Sequence, residues 1–161
     1  MMRWLRCQAR ARLTGRRCGE RPEIAMPQVF GRLGLFVTLK KGNRVRGCFG
    51  AFSHNATDTG ILLSDYLTGA LTRDPRYRPL DVSELADTAI IITVTSQPMP
   101  VNDLSYVDVK HSGIALQCGD ETSIFVPAEI RSMSYIEKKI NGSVCQVSAF
   151  SAVTMAERLV R

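Results

Sequence analysis

Apolar and polar positions change over in short runs along most of this chain. Leu33 to Leu39 is a β-rich run, Lys40, Lys41, Gly42 and Asn43 supply turn chemistry, and Arg44 to Phe52 is a second run. Two such runs around a glycine-containing turn predict a β-hairpin. Asp58 or Thr59 then offers an N-cap. Ile61, Leu62, Asp65, Tyr66, Ala70 and Leu71 combine an apolar with a polar face, which predicts a helix. That helix stops before Asp74 and Pro75, because the residue preceding a proline is pushed out of the helical region. Asp81 to Glu84 reads as a one-turn capping sequence, and Thr88 to Thr95 is a β-branched run apolar enough for a central strand. Gln97, Pro98, Met99 and Pro100 end it.

The same order then recurs. Gly113 to Cys118 and Thr122 to Val126 flank Gly119, Asp120 and Glu121, a second hairpin signal. Pro127 opens a predicted helix to about Ile140, since proline suits a first turn whose N–H has no partner. Asn141 with Gly142 is the expected stop, and Ser143 to Phe150 a final strand. Hairpin, helix, strand, stated twice, predicts a duplicated α+β unit in one domain spanning 1–161, although no residue-level repeat is visible. The expected divisions are a basic helix at 2–14, a connector at 15–32 containing Gly15, Gly19, Pro22 and Pro27, and a core at 33–150.

Charge changes the picture at one end only. Residues 1–46 carry a net +10 and the rest a net −4. An Arg-rich, acid-free start admits three readings: a mitochondrial targeting segment, though it lacks serine; a contact for nucleic acid or acidic lipid; or a folded basic helix. Trp4, Leu5, Gln8, Ala9 and Leu13 fall near helical spacing with Arg3, Arg6, Arg10 and Arg12 to the sides, which fits the third. No apolar run reaches the roughly 18 residues that a membrane-spanning helix needs. Five cysteines, Cys7, Cys18, Cys48, Cys118 and Cys145, are odd in number, widely spaced and follow no secretory segment. A disulfide framework is therefore not expected, and a reducing, cytoplasmic location is the default. With no C-x-x-C pair, and with His54 and His111 far from other ligand types, no metal or other cofactor is expected.

Special residues are densest at Arg46, Gly47, Cys48, Phe49 and Gly50. Glycines inside a strand imply either a ligand approaching the bare backbone or a bulge or tight helix crossing. Arg44 and Arg46 near Cys48 would lower a thiol pKa if the strand were regular and placed them on its face; a buried strand cysteine is the plainer alternative. Arg73 and Arg76 flank Asp74, with Pro75 setting the turn, so the guanidiniums are placed either for carboxylate or phosphate recognition or as a structural clamp. Tyr77 and Glu84 fit either arrangement.

The FVTL run from Phe36 to Leu39, Lys40, Lys41, the RGCFG run from Arg46, and the RDPRY run from Arg73 to Tyr77 together resemble the signature of the AMMECR family. Pro79, Leu80, Glu84, Leu85 and the strand Ile90 to Thr95 before Pro98 follow in the family's order. Departures are Phe49 where isoleucine is usual and a divergent segment after Pro127. The resemblance implies an α/β domain with two similar β-rich halves wrapped into one curved, mostly antiparallel sheet with flanking helices. It also implies kinship with component A of the AmmeMemoRadiSam set, which pairs such a domain with a Memo-like protein and a radical SAM protein. Three functions are weighed: an interaction module presenting the Arg46 to Gly50 strand and the Arg73 to Tyr77 turn to such a partner; an enzyme or group carrier with Cys48 as nucleophile and Arg46 assisting it; and a nucleic-acid binder using the basic end.

Overall fold

The computed structural model describes residues 1–21, 33–56, 58–140 and 144–159. The connector beyond Arg21, the Asn141–Gly142 stop and the expected strand start at Ser143 lie outside them. Helix α1 (Met2–Thr14) ends on Gly15, whose positive φ of 69° is the left-handed cap a glycine adopts without strain. Strands β1 (Gly34–Lys41) and β2 (Arg44–Ala51) form the first hairpin. Helix α2 (Thr59–Thr72) starts at Asp58, whose side chain accepts from the Gly60 and Ile61 N–H groups. A short 3-10 helix (Val82–Asp87) carries a reciprocal Asp81–Glu84 capping box and leads into β3 (Thr88–Thr95). The two-residue β4 (Met99–Pro100) precedes the second hairpin, β5 (Ser112–Cys118) and β6 (Glu121–Phe125), then α3 (Met133–Ile140) and β7 (Cys145–Ala156).

The strands run in the order β2-β1-β3-β7-β5-β6, all antiparallel, in one curled half-barrel sheet, with β4 also paired to β7. Read from its two edges inward, this order is the same three-strand unit twice, each a hairpin followed by the strand that succeeds its helix. Strand β7 makes the join: Cys118↔Cys145 to Ser112↔Ser151 pairs it with β5, and Thr95↔Ala152 to Ile91↔Ala156 pairs its far half with β3. The predicted final strand therefore falls short by six residues, because Ala152 to Ala156 gain a second partner that no local pattern encodes.

Two glycine contacts set how closely α2 lies on the first hairpin. A Cβ on Gly47 would stand 2.0 Å from the Ala70 carbonyl oxygen, and one on Gly69 would stand 2.3 Å from the Phe49 ring. Below them Leu35, Val37 and Leu39 pack with Leu63, Leu67 and Leu71, and α1 adds Trp4, Leu5 and Ala9. Helix α3 covers the second hairpin through Ile136 against Ile114, Leu116 and Phe125. The opposite face of β1 meets the second half through Phe36, Val126 and Phe150.

Two expectations are corrected. Helix α3 begins at Met133, not at Pro127; Val126 to Ile130 instead make turns in which Glu129 N–H donates to Val126 O and Ile130 N–H to Pro127 O. The Glu129 side chain is buried there, held by Arg76 and by the Val126 N–H, a tertiary contact that the local pattern does not encode. The second correction concerns the cysteines. Cys7 is joined to Cys18 (Cα–Cα 5.6 Å) and Cys118 to Cys145 (4.2 Å), leaving Cys48 free. The wide spacing that argued against disulfides is bridged by tertiary structure. The left-handed turn at Gly15 carries the chain back along α1, and Cys118 and Cys145 are direct cross-strand neighbours in the β5–β7 ladder.

Candidate functional site

Strand β2 is irregular where its chemistry is densest. Its pairing with β1 slips between Leu39↔Gly47 and Lys40↔Val45, leaving Arg46 as an extra residue in a bulge. The regular alternation that would bring Arg46 beside Cys48 is thereby broken. Arg46 turns instead to Glu84, with Nε and Nη2 each donating at 3.0 Å to a separate carboxylate oxygen. This fork holds the Glu84 carboxyl at about 2, and the Asp81 N–H adds to the same effect.

Gly47 lies under α2, so its missing side chain serves a helix crossing. Phe49 is covered by the Arg73 guanidinium at 4.7 Å from its ring centre, while Arg73 Nη2 also donates to the Asp65 carbonyl and carboxylate. Gly50 faces Phe36, with the Leu35 carbonyl 2.2 Å from where a Cβ would sit. Cys48 lies opposite Gly47, partly buried on the inner face of the curl, and receives a contact from the Thr38 hydroxyl at 3.3 Å. Burial pushes its thiol well up, and the negative charge of Glu129 pushes the same way. His54 does not fold back onto it: His54 Nδ1 meets Tyr66 Oη at 2.7 Å and Nε2 meets the Leu33 carbonyl at 2.9 Å.

The two motifs do meet, through Asp74. The Cys48 N–H, on the open edge of β2, donates to Asp74 Oδ2 at 2.8 Å. Arg76 donates to Asp74 through its backbone N–H and Nε (3.0 Å each, to Oδ1) and its Nη2 (2.8 Å, to Oδ2). Burial alone would raise the Asp74 carboxyl; these donors bring it below its ordinary value instead. Arg76 Nη2 also reaches Glu129 Oε1 at 2.9 Å, and Glu129 Oε2 accepts, more loosely at 3.4 Å, from the Val126 N–H just past β6. Burial raises the Glu129 carboxyl, with Arg76 opposing. Arg76 is held strongly in its charged form, first by Asp74.

Asp74, Arg76 and Glu129 thus form a clasp across the seam where the curled sheet stays open between its two edge strands. On one side of the clasp a cleft of about 790 Å³ is lined by Cys48, Phe49 and Gly50 of β2 and by Thr122, Ser123 and Ile124 of β6. On the other a cleft of about 850 Å³ is lined by Lys40, Arg44, Glu129 and Arg131. Arg76, Tyr77, Phe125 and Tyr135 border both. Sequence reading has Lys40 only as part of the family motif and Arg44 only as a neighbour of Cys48, and it misses Glu129, Arg131 and Tyr135; the signal for Glu129 is a carboxylate within an otherwise apolar VPAEI run. At the basic end of the chain, Arg6 of α1 is bound by Glu157 and by the Leu85 and Thr88 carbonyls, and Arg21 pairs with Asp58. Among the described residues no group of three potential metal-ligating side chains forms, and no helix is long and apolar enough to cross a membrane.

Fold and site define an α+β half-barrel protein with a clasped, cleft-bearing seam between two like halves. The chain belongs to the AMMECR1 family, whose model matches residues 6–157. A protein of Thermotoga maritima is 31% identical over 122 residues, covering 74% of this chain and 70% of that protein. A protein of Methanococcoides burtonii is 33% identical over 111 residues, covering 65% of this chain and 54% of its own length. The chain therefore spans only about half of the latter. The crystal structure of an uncharacterized protein from Pyrococcus horikoshii superposes with a TM-score of 0.67 at 18% identity, covering 98% of this chain and 90% of that one, a likeness of fold.

Proposed function

We propose that this chain is a binding and accessory module that presents the clasped seam to a partner. The observation that carries the reading is what the motif residues are used for. Gly47 admits α2, Arg46 locks onto Glu84, Asp74 caps the edge of β2, and Arg73 covers Phe49, so the Arg46 to Gly50 strand and the Arg73 to Tyr77 turn build a rigid wall. The groups left open at the seam are Arg76, 43% exposed at its side chain, with Tyr77 and Tyr135 beside it. A rigid wall with aromatic and arginine side chains at its rim suits recognition more than bond-making. Kinship with component A of the AmmeMemoRadiSam set makes a Memo-like or a radical SAM protein the partner of choice.

The test is capture of purified Memo-like and radical SAM proteins from the same organism by the immobilised full chain, beside a Tyr77→Ala variant. Saturable capture by the wild type that weakens about tenfold in the variant is the expected result. Absence of capture for both proteins overturns the reading.

A second reading keeps Cys48 as a nucleophile, and its support is that the thiol borders a cleft. Desolvation and Glu129 oppose it by holding the proton on sulfur. Alkylation of the folded protein across pH decides between them. Slow labelling that rises only in strong base favours the accessory module; fast labelling near neutrality favours the enzyme.

A further inference from the structure

We propose that the basic compartment of the seam binds a small polyanion, a ligand bearing phosphate or carboxylate groups on an unsaturated body. This rests on the binding-module reading and names the chemistry of its site.

Lys40, Arg44, Arg76 and Arg131 line a concave space of about 850 Å³, a size ordinary for small-molecule sites. The acidic group in its wall, Glu129, is buried and already accepts from Arg76 Nη2 and the Val126 N–H. Among the described residues no carboxylate pairs with Arg44 or Arg131, and Lys40 Nζ donates to a neutral acceptor, the Ala128 carbonyl, at 3.1 Å. Lys40, Arg44 and Arg131 thus line the space as like charges without matching carboxylates, a surplus of positive charge that attracts an incoming anion. Arg76 adds direction. Asp74 and Glu129 take its Nε and Nη2 and so fix the guanidinium plane, while 43% of the side chain stays open and Nη1 is the donor left for an oxyanion. The Tyr77 ring, stacked 5.4 Å from the Arg76 guanidinium carbon, and Tyr135 offer flat surfaces beside it for the body of the ligand. The cations share one hollow of small-molecule size, which suits a compact anion.

Calorimetric titration of the full chain with pyrophosphate, citrate and ATP at low salt tests the site. The variants are R44Q/R131Q and, as a control on exposed arginines outside the cleft, R16Q/R17Q. The wild type and control should bind alike and R44Q/R131Q at least about tenfold more weakly, the loss expected for one charge-assisted hydrogen bond or more. Both variants should keep the wild-type unfolding midpoint, because Arg44 and Arg131 are exposed. Absence of saturable millimolar binding by the wild type, or equal weakening in the two variants, overturns the proposal. ATP should bind more tightly than pyrophosphate; weaker ATP binding overturns the role given to Tyr77 and Tyr135. Partner capture failing while the titration succeeds removes the accessory-module reading alone, and the reverse pattern removes the anion site alone.

Discussion

At the scale of single residues, the glycines and the clasp carry the sharpest consequences. Gly47 has no room for a methyl group against the Ala70 carbonyl, and backbone yields less readily than a side-chain tip. Gly47→Ala should lower stability by about 2–3 kcal/mol, read as a fall in denaturant midpoint at constant slope. An unchanged midpoint would mean that α2 lifts away freely. Arg76 neutralises two buried carboxylates, so Arg76→Met leaves Asp74 and Glu129 with backbone N–H donors but no cation. The expected cost is about 2–3 kcal/mol, below the usual figure for breaking a buried pair because Arg76 is partly exposed. Adding Glu129→Gln to Arg76→Met should recover part of that loss, and a double-mutant cycle reads the coupling directly. The clasp was half legible in sequence. Asp74 and Arg76 sit two positions apart in a proline turn, but Glu129 lies far along the chain and becomes their partner only when the sheet curls.

Among elements, the bulge in β2 and the 3-10 helix after α2 form one unit joined by Arg46 and Glu84. The Glu84 carboxyl is lowered in the folded chain from 4.5 to about 2. A depressed carboxyl stabilises the fold above its ordinary pKa, and that contribution is lost as pH falls through the folded value. Wild-type stability should therefore drop between 4.5 and about 2, and Glu84→Gln should flatten that part of the profile. Thermal unfolding of both proteins across this window measures the difference, and parallel profiles would exclude the linkage. The sequence pattern located both elements, since capping and hairpin signals are local. It could not locate the bulge, because a register slip depends on which residue of β1 each residue of β2 meets. The late start of α3 has a similar origin: proline permits a helix at Pro127, whereas the tertiary demand on Glu129 overrides it.

For the whole molecule, the two disulfides tie α1 to the segment after it and β5 to β7, so each half carries one. Denaturation without reductant should expose one titratable thiol, from Cys48, and reduction should raise the count to five. Mass spectrometry after differential alkylation gives both numbers. Replacing Cys118 and Cys145 together by serine should cost about 2–4 kcal/mol by freeing the unfolded chain. Five thiols before reduction would return the cysteines to the reduced state that their spacing first suggested.

What the sequence by itself determined are the hairpins, the first helices, the duplicated order of elements and the family, because these rest on periodicity, capping and contiguous motifs within a few residues of one another. Only the tertiary structure decided the joining role of β7, the pairing of the cysteines, the turn of Arg46 away from Cys48 and the assembly of Lys40, Arg44, Arg76 and Arg131 around one cleft. These depend on contacts between segments separated by up to 88 positions, from Lys40 to Ala128. Their energetics arise from the burial and charge that meet when the curled sheet brings its edges together.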